Sequence, residues 1–175
     1  MEIVAKFWKV SFEQFKKDWL KHDPINPPLD DNELRLIYDN IQLPKRATAG
    51  SAGYDFFMPE FMKQTFNEKT MQYEITIPTG VCCEIKDGWV LMLYPRSGLG
   101  FKHGVRLANS VGVIDSDYYH ADNEGHILVK LVNCDGISFK EGMAFCQGVF
   151  MPYGVTLDDE AENKRTGGMG STGNM

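Results

Sequence analysis

From Leu43 onward the chain is written in short apolar runs, each closed by Gly, Pro, Asn or Asp. Residues 73–77, 81–85, 89–94, 126–132 and 144–151 are such runs, rich in β-branched and aromatic side chains. Several short strands at this spacing predict an all-β sandwich or barrel. A chain of 175 residues buries about two-thirds of its unfolded surface, so the architecture needs no metal or disulfide to hold a core. The same length predicts one domain, and neither an internal repeat nor a compositional break marks a second.

Residues 11–41 follow a different period. Phe12, Phe15 and Trp19 recur at helical spacing until Pro24 ends the pattern. Ser11 and Gln14 have the form of a capping box, with Val10 and Phe15 placed as its hydrophobic staple. Asp30 and Glu33 open a second helix, in which Leu34, Ile37, Tyr38 and Ile41 fall at i, i+3, i+4 and i+7. Both stripes read as packing surface, and residues 2–10 read as a strand preceding them.

The longest apolar run, residues 89–94, is far short of the roughly 20 residues that span a bilayer. No basic-then-apolar leader pattern opens the chain, and a cytoplasmic protein is expected. Cys82, Cys83, Cys134 and Cys146 lack metal-ligand spacing and read as buried, reduced thiols. His22, His103, His120 and His126 are not spaced for zinc and read as surface or structural residues, with His103 of interest for its cationic neighbourhood.

With Lys+Arg 18 against Asp+Glu 24, the net charge of −6 argues against a partner such as nucleic acid or an anionic membrane. The local distribution is more informative. Residues 89–114 contain no acid while Arg96, Lys102 and Arg106 are cationic, and the chain is again acid-free from Asn163 to its end. Both stretches are rich in glycine, which lets successive backbone N–H groups converge on an anion, and Arg adds a forked charge suited to phosphate. Asp115 follows the first stretch directly. A phosphate cradle beside a carboxylate is what hydrolytic attack on phosphorus requires.

In order along the chain stand Ala52-Gly53-Tyr54-Asp55, Pro95-Arg96-Ser97-Gly98-Leu99-Gly100, a segment running from Asn109 through Asp115 to Tyr118, a segment centred on Gln147, and Arg165 followed by a Gly-Gly-Met-Gly-Ser-Thr-Gly tail. In these five segments the chain closely resembles the trimeric dUTPase family. The resemblance implies a distorted jelly-roll β-barrel, with a helical insertion at about 11–41 in a domain of residues 1–157 and a flexible lid at 158–175. It also implies a homotrimer with shared active sites and hydrolysis of dUTP to dUMP and pyrophosphate, with Mg2+ on the triphosphate and Asp55 either bridged to it through water or bracing the barrel.

Carried over by motif, Asp115 orients and deprotonates the attacking water. Tyr118 lies against the deoxyribose and leaves no room for a 2′-hydroxyl. Asn109 and the main chain of a hairpin through Gly112, Ile114 and Tyr118 read uracil. Arg96, Ser97, Gly98 and Gln147 hold phosphates, and Arg165, Gly170, Ser171 and Thr172 close over them. Met169 stands where the family has a Phe stacked on uracil, and Met143-Ala144 where it has Asp-Arg. Residues 119–125 make a longer connection than usual. Two alternatives share the fold: a dCTP deaminase relative, and a nucleotide-binding regulatory protein with a protein partner on the helices or on residues 119–125.

Overall fold

The computed structural model describes residues 2–23, 28–163, 165 and 167. In chain order it contains β1 (Ala5–Lys9), α1 (Phe12–His22), α2 (Asp31–Asn40), β2 (Lys45–Arg46), β3 (Tyr54–Phe57), β4 (Thr65–Asn67), β5 (Gln72–Pro78), β6 (Val81–Ile85) and β7 (Trp89–Pro95). There follow α3 (Ser97–His103), β8 (Arg106–Leu107), β9 (Gly112–Ile114), a 3-10 helix (Ser116–His120), β10 (Leu128–Val132) and β11 (Ala144–Pro152).

The strands form three antiparallel sheets: β1 with β6, the order β4-β5-β10-β8, and the order β2-β3-β11-β7-β9. The protein is thus mostly β, as the short runs predict. Among the described residues these sheets do not join into one closed barrel.

One core unites sheets and helices. Phe15, Trp19 and Leu34 from the helices are fully buried in the same cluster as Phe56, Ile77, Leu91, Leu131 and Phe145 from the strands. Each such side chain contributes roughly 1.5–3 kcal/mol through burial. The helical stripes are therefore packing surface, as their spacing indicates. Phe15 and Trp19 lie 5.4 Å apart as tilted rings, and Tyr38 closes over Phe15 from α2.

The two helix starts differ. Asp30 and Glu33 form a complete capping box on α2. On α1, Ser11 Oγ accepts from the Gln14 N–H at 3.2 Å, but the Gln14 side chain turns away to Asp18. Glu124, from the far side of the sequence, takes the Ser11 N–H at 2.6 Å instead. All four cysteines are free and buried.

The hairpin expected over Gly112–Tyr118 is not formed. β9 pairs with β7 and ends at Ile114, and the chain then winds into the 3-10 helix, with the Tyr118 N–H bonded to Asp115 O at 3.2 Å. β9 is the edge strand of its sheet, and Asp115 caps the 3-10 helix that carries Tyr118.

Candidate active site

Five sequence-predicted residues lie around a cavity of about 460 Å3: Asn109, Gly112, Ile114, Tyr118 and Arg165. Leu93, Leu107 and Val129, which alternate on strands β7, β8 and β10, supply its apolar floor. The apolar runs at 89–94 and 126–132 contain Leu93 and Val129 but give no sign of a cavity, and Leu107 lies in none of the runs. Lys130 also lines it and pairs with Glu74 at 2.7 Å.

Asp115 stands at the N-cap of the 3-10 helix with its carboxylate half exposed. Arg165 reaches it from the C-terminal segment, with Nη2 2.5 Å from Asp115 Oδ2 and Nε 2.9 Å from Asp117 Oδ1. The same guanidinium lies 5.7 Å from the centre of the Tyr118 ring. Tyr118 itself is buried, and burial pushes its phenol above the ordinary value, so it remains a protonated donor. Its Oη donates to His126 O at 2.8 Å.

A second group gathers where β3, β11 and β7 run side by side. Gln147 on β11 is in register with Asp55 on β3 and Tyr94 on β7. Arg96, just past the end of β7, forms an ion pair with the buried carboxylate of Asp55. Asp55 thus braces the guanidinium beside the Gln147 amide, a pairing across 41 positions that no local pattern signals. Gly53 leaves room here for the Gln147 amide, since a Cβ would come 2.6 Å from Gln147 Oε1 and displace the side chain. Ser97 and Gly98 open α3, whose first internal bond runs from the Gly100 N–H to Arg96 O, so the preceding N–H groups lie ahead of the helical ladder. The sequence suggests a glycine-rich turn at this point, and the chain makes it a helix.

The lining of the nucleoside-sized cavity includes neither Arg96, Ser97, Gly98 nor Gln147. The predicted site residues therefore form two clusters, one around the cavity and one where β3, β11 and β7 run side by side, with Asp115 joined to the first through Arg165. Met169, Gly170, Ser171 and Thr172 lie outside the described residues.

No group of three or more His, Cys, Asp or Glu side chains able to hold a metal occurs among the described residues. With Asp55 engaged by Arg96, the donor set suits an ion carried mainly by ligand oxygens. Among the described residues no helix is long and apolar enough to cross a membrane.

The dUTPase family model matches residues 39–173, so β1, α1 and most of α2 precede the matched region. The chain is 44% identical over 148 residues to the deoxyuridine 5'-triphosphate nucleotidohydrolase of Lactococcus lactis, covering 81% of this chain and 95% of that protein. It is 34% identical over 176 residues to the enzyme of the same name from Bartonella henselae, covering 92% of each. Among solved structures, the dUTPase from Streptococcus mutans superposes with a TM-score of 0.57 at 37% identity, over 75% of this chain and 94% of that one. A dUTPase from phage phi11 of S. aureus shares the fold at a TM-score of 0.56 and 24% identity, over 74% of this chain and 94% of that one.

Proposed function

Since the chain belongs to the dUTPase family, we propose that it is a dUTP diphosphatase whose Asp115 activates water for in-line attack on the α-phosphorus. The observation that carries this is the ion pair joining Asp115, which follows Ile114 just outside the cavity lining, to Arg165, which lines the pocket together with Asn109, Gly112, Ile114 and Tyr118.

The cavity is of a size to take a nucleoside. Uracil and cytosine exchange donor and acceptor at two adjacent ring positions, N3 and C4, so a main-chain reader at Gly112–Ile114 leaves polar groups unpaired with the wrong base. Such mismatches discriminate far more strongly than apolar contacts do. The Tyr118 ring forms the sugar wall and refuses a 2′-hydroxyl. Asn109 shares the base-reading work.

Arg96, the N–H groups of Ser97 and Gly98, and Gln147 hold the phosphates, with Asp55 keeping Arg96 aimed. Their fixed charges stabilise the transition state as negative charge moves to the leaving pyrophosphate. Asp115 accepts hydrogen bonds from the water and takes its proton. Asp55 would be the residue to hold a triphosphate-bound Mg2+ by way of water, and the ion would supply further neutralisation of that charge.

Arg165, now on Asp115, is drawn to the triphosphate when it arrives. Residues 158–175, including Met169, Gly170, Ser171 and Thr172, then act as the lid. The strands assemble as the jelly-roll of the family with residues 11–41 as an addition to it. The two site clusters are completed across subunits of a homotrimer, and sedimentation should give three times the 19.8 kDa chain mass.

The test is product analysis by ion-exchange chromatography after incubation with dUTP, dTTP, dCTP and UTP, with and without Mg2+. Equimolar dUMP and pyrophosphate from dUTP alone is the expected result. Ammonia released from dCTP, or tight dUTP binding without product, would contradict the proposal.

A further inference from the structure

Helix α1 meets the candidate site through a buried polar junction. His126 is fully buried against Phe15, the two rings 6.5 Å apart. Its Nε2 accepts the Gly80 N–H at 2.8 Å, so that nitrogen carries no proton and Nδ1 is the donor. Nδ1 lies 2.6 Å from Asp18 Oδ2, an oxygen that also accepts from Gln14 Nε2 at 2.6 Å. Both edges of the imidazole are therefore fixed. Gly80 donates from a turn with φ of +70°, a conformation that disfavours any side chain there.

The main chain of the same histidine holds the site. His126 O accepts from Tyr118 Oη at 2.8 Å, and Asn123 Nδ2 donates to both Tyr118 Oη and His126 O. A second tie lies alongside, where the Glu124 carboxylate takes the Ser11 N–H at 2.6 Å and the Ser11 hydroxyl at 2.7 Å. Between Tyr118 and His126 the backbone runs through turns and has no strand partner. Segments of that kind open locally at little cost unless buried bonds restrain them.

We propose that Asp18 and His126 are positioning residues for sugar selection, through which helix α1 stiffens the Tyr118 wall of the cavity. The inference rests on the assignment of Tyr118 as that wall. Steric refusal of one hydroxyl works only while the wall stays in place, because a ring free to shift by about an ångström makes room for it. Binding of the deoxyribose itself does not test the wall, so a loosened junction admits the ribonucleotide without impairing the deoxyribonucleotide. The helix pair thereby acquires a role in specificity as well as packing.

The experiment compares kcat/KM for dUTP and UTP in the full chain and four variants, with thermal melting as the folding control. In Asp18→Ala the dUTP/UTP selectivity should fall about tenfold, through a rise for UTP, with kcat for dUTP within about threefold of the original. Asp18→Asn keeps an acceptor for the His126 Nδ1–H and should restore most of the selectivity. Tyr118→Phe keeps the ring but cuts its bond to His126 O, so it should lose selectivity too, and it serves if Asp18→Ala does not fold. Tyr118→Ala separates the two claims. If it leaves selectivity unchanged, Tyr118 is not the sugar wall and the inference falls with that assignment. If it lowers selectivity while Asp18→Ala and Tyr118→Phe match the original protein, Tyr118 is the wall and the coupling to α1 is refuted.

Discussion

Asp115 and Asp18 are each held against a basic side chain, one at the rim of a cleft and one inside the helix–sheet junction. The Asp115 side chain is 44% exposed and its partner Arg165 22%, whereas Asp18 is 10% exposed and its partner His126 not at all. An exposed pair is worth about 0–1 kcal/mol, so an arriving triphosphate can compete for Arg165 and leave Asp115 free. Leaving a buried donor without its acceptor costs about 1–3 kcal/mol, so the hydrogen bond from His126 Nδ1–H to Asp18 is the more firmly held of the two contacts. On the proposed roles, the same residue type serves chemistry where water reaches it and geometry where water does not.

The comparison is broken most severely by exchanging what each aspartate contributes. Asp115→Asn removes the base and keeps the shape, and kcat should fall by about 10^3 while dUTP affinity, read by calorimetry, changes little. If turnover survives, the proton goes elsewhere. Ending the chain after Asn163 removes Arg165 and the lid, and should lower kcat/KM by about 100-fold without altering the sedimentation coefficient. Unchanged kinetics in that truncated chain would show that Arg165 has no part in closing over substrate.

At the buried pair the larger loss is in stability. Asp18→Ala should lower unfolding free energy by about 2–3 kcal/mol in urea titrations, because the His126 Nδ1–H and the Gln14 amide both lose their acceptor. Acid sharpens the contrast. Burial alone would push the Asp18 carboxyl up, but hydrogen bonds from His126 and Gln14 outweigh it and hold the group below its ordinary 3.8. A depressed folded value means that the stabilisation is complete above the unfolded value and is lost as pH falls through the folded one. The melting temperature should therefore drop more steeply below about pH 4 in the original protein than in Asp18→Asn. Parallel profiles would deny the pair that role.

The smallest effect concerns the thiols. Burial pushes Cys82 up to about 11 and Cys134 to about 12, and raises Cys83 and Cys146 well above the ordinary thiol value. None should react with iodoacetamide in the folded protein at about pH 8, and all four should react in denaturant.

Much of this was legible in the chain, and what was not shares one physical cause. Strands β5, β6, β7, β10 and β11 announce themselves because β-branched and aromatic residues fill them and turn residues close them. Helices α1 and α2 are legible from their apolar stripes, whereas the glycine-containing α3 is not. The two- and three-residue strands β2, β4, β8 and β9 are not, since their pairing is set by neighbours distant in sequence. The site divides the same way. The acid-free, glycine-rich stretch points to Arg96 and Asp115, and the motif order adds Asn109, Tyr118 and Gln147. The contacts that orient these residues join Asp55 to Arg96 and Asp18 to His126, across 41 and 108 positions. No local period encodes such pairs. Glu124 displacing Gln14 from the Ser11 N–H is the same lesson in miniature: a local capping motif gave way to a partner 113 positions away.

The central claim, that Asp115 directs water onto the α-phosphorus of dUTP, is tested most directly by a single turnover in 18O-labelled water, with mass spectrometry of both products. The account predicts one labelled oxygen in dUMP and none in pyrophosphate, with the labelled product suppressed in Asp115→Asn. Label in pyrophosphate would place the attack on the β-phosphorus and contradict the account.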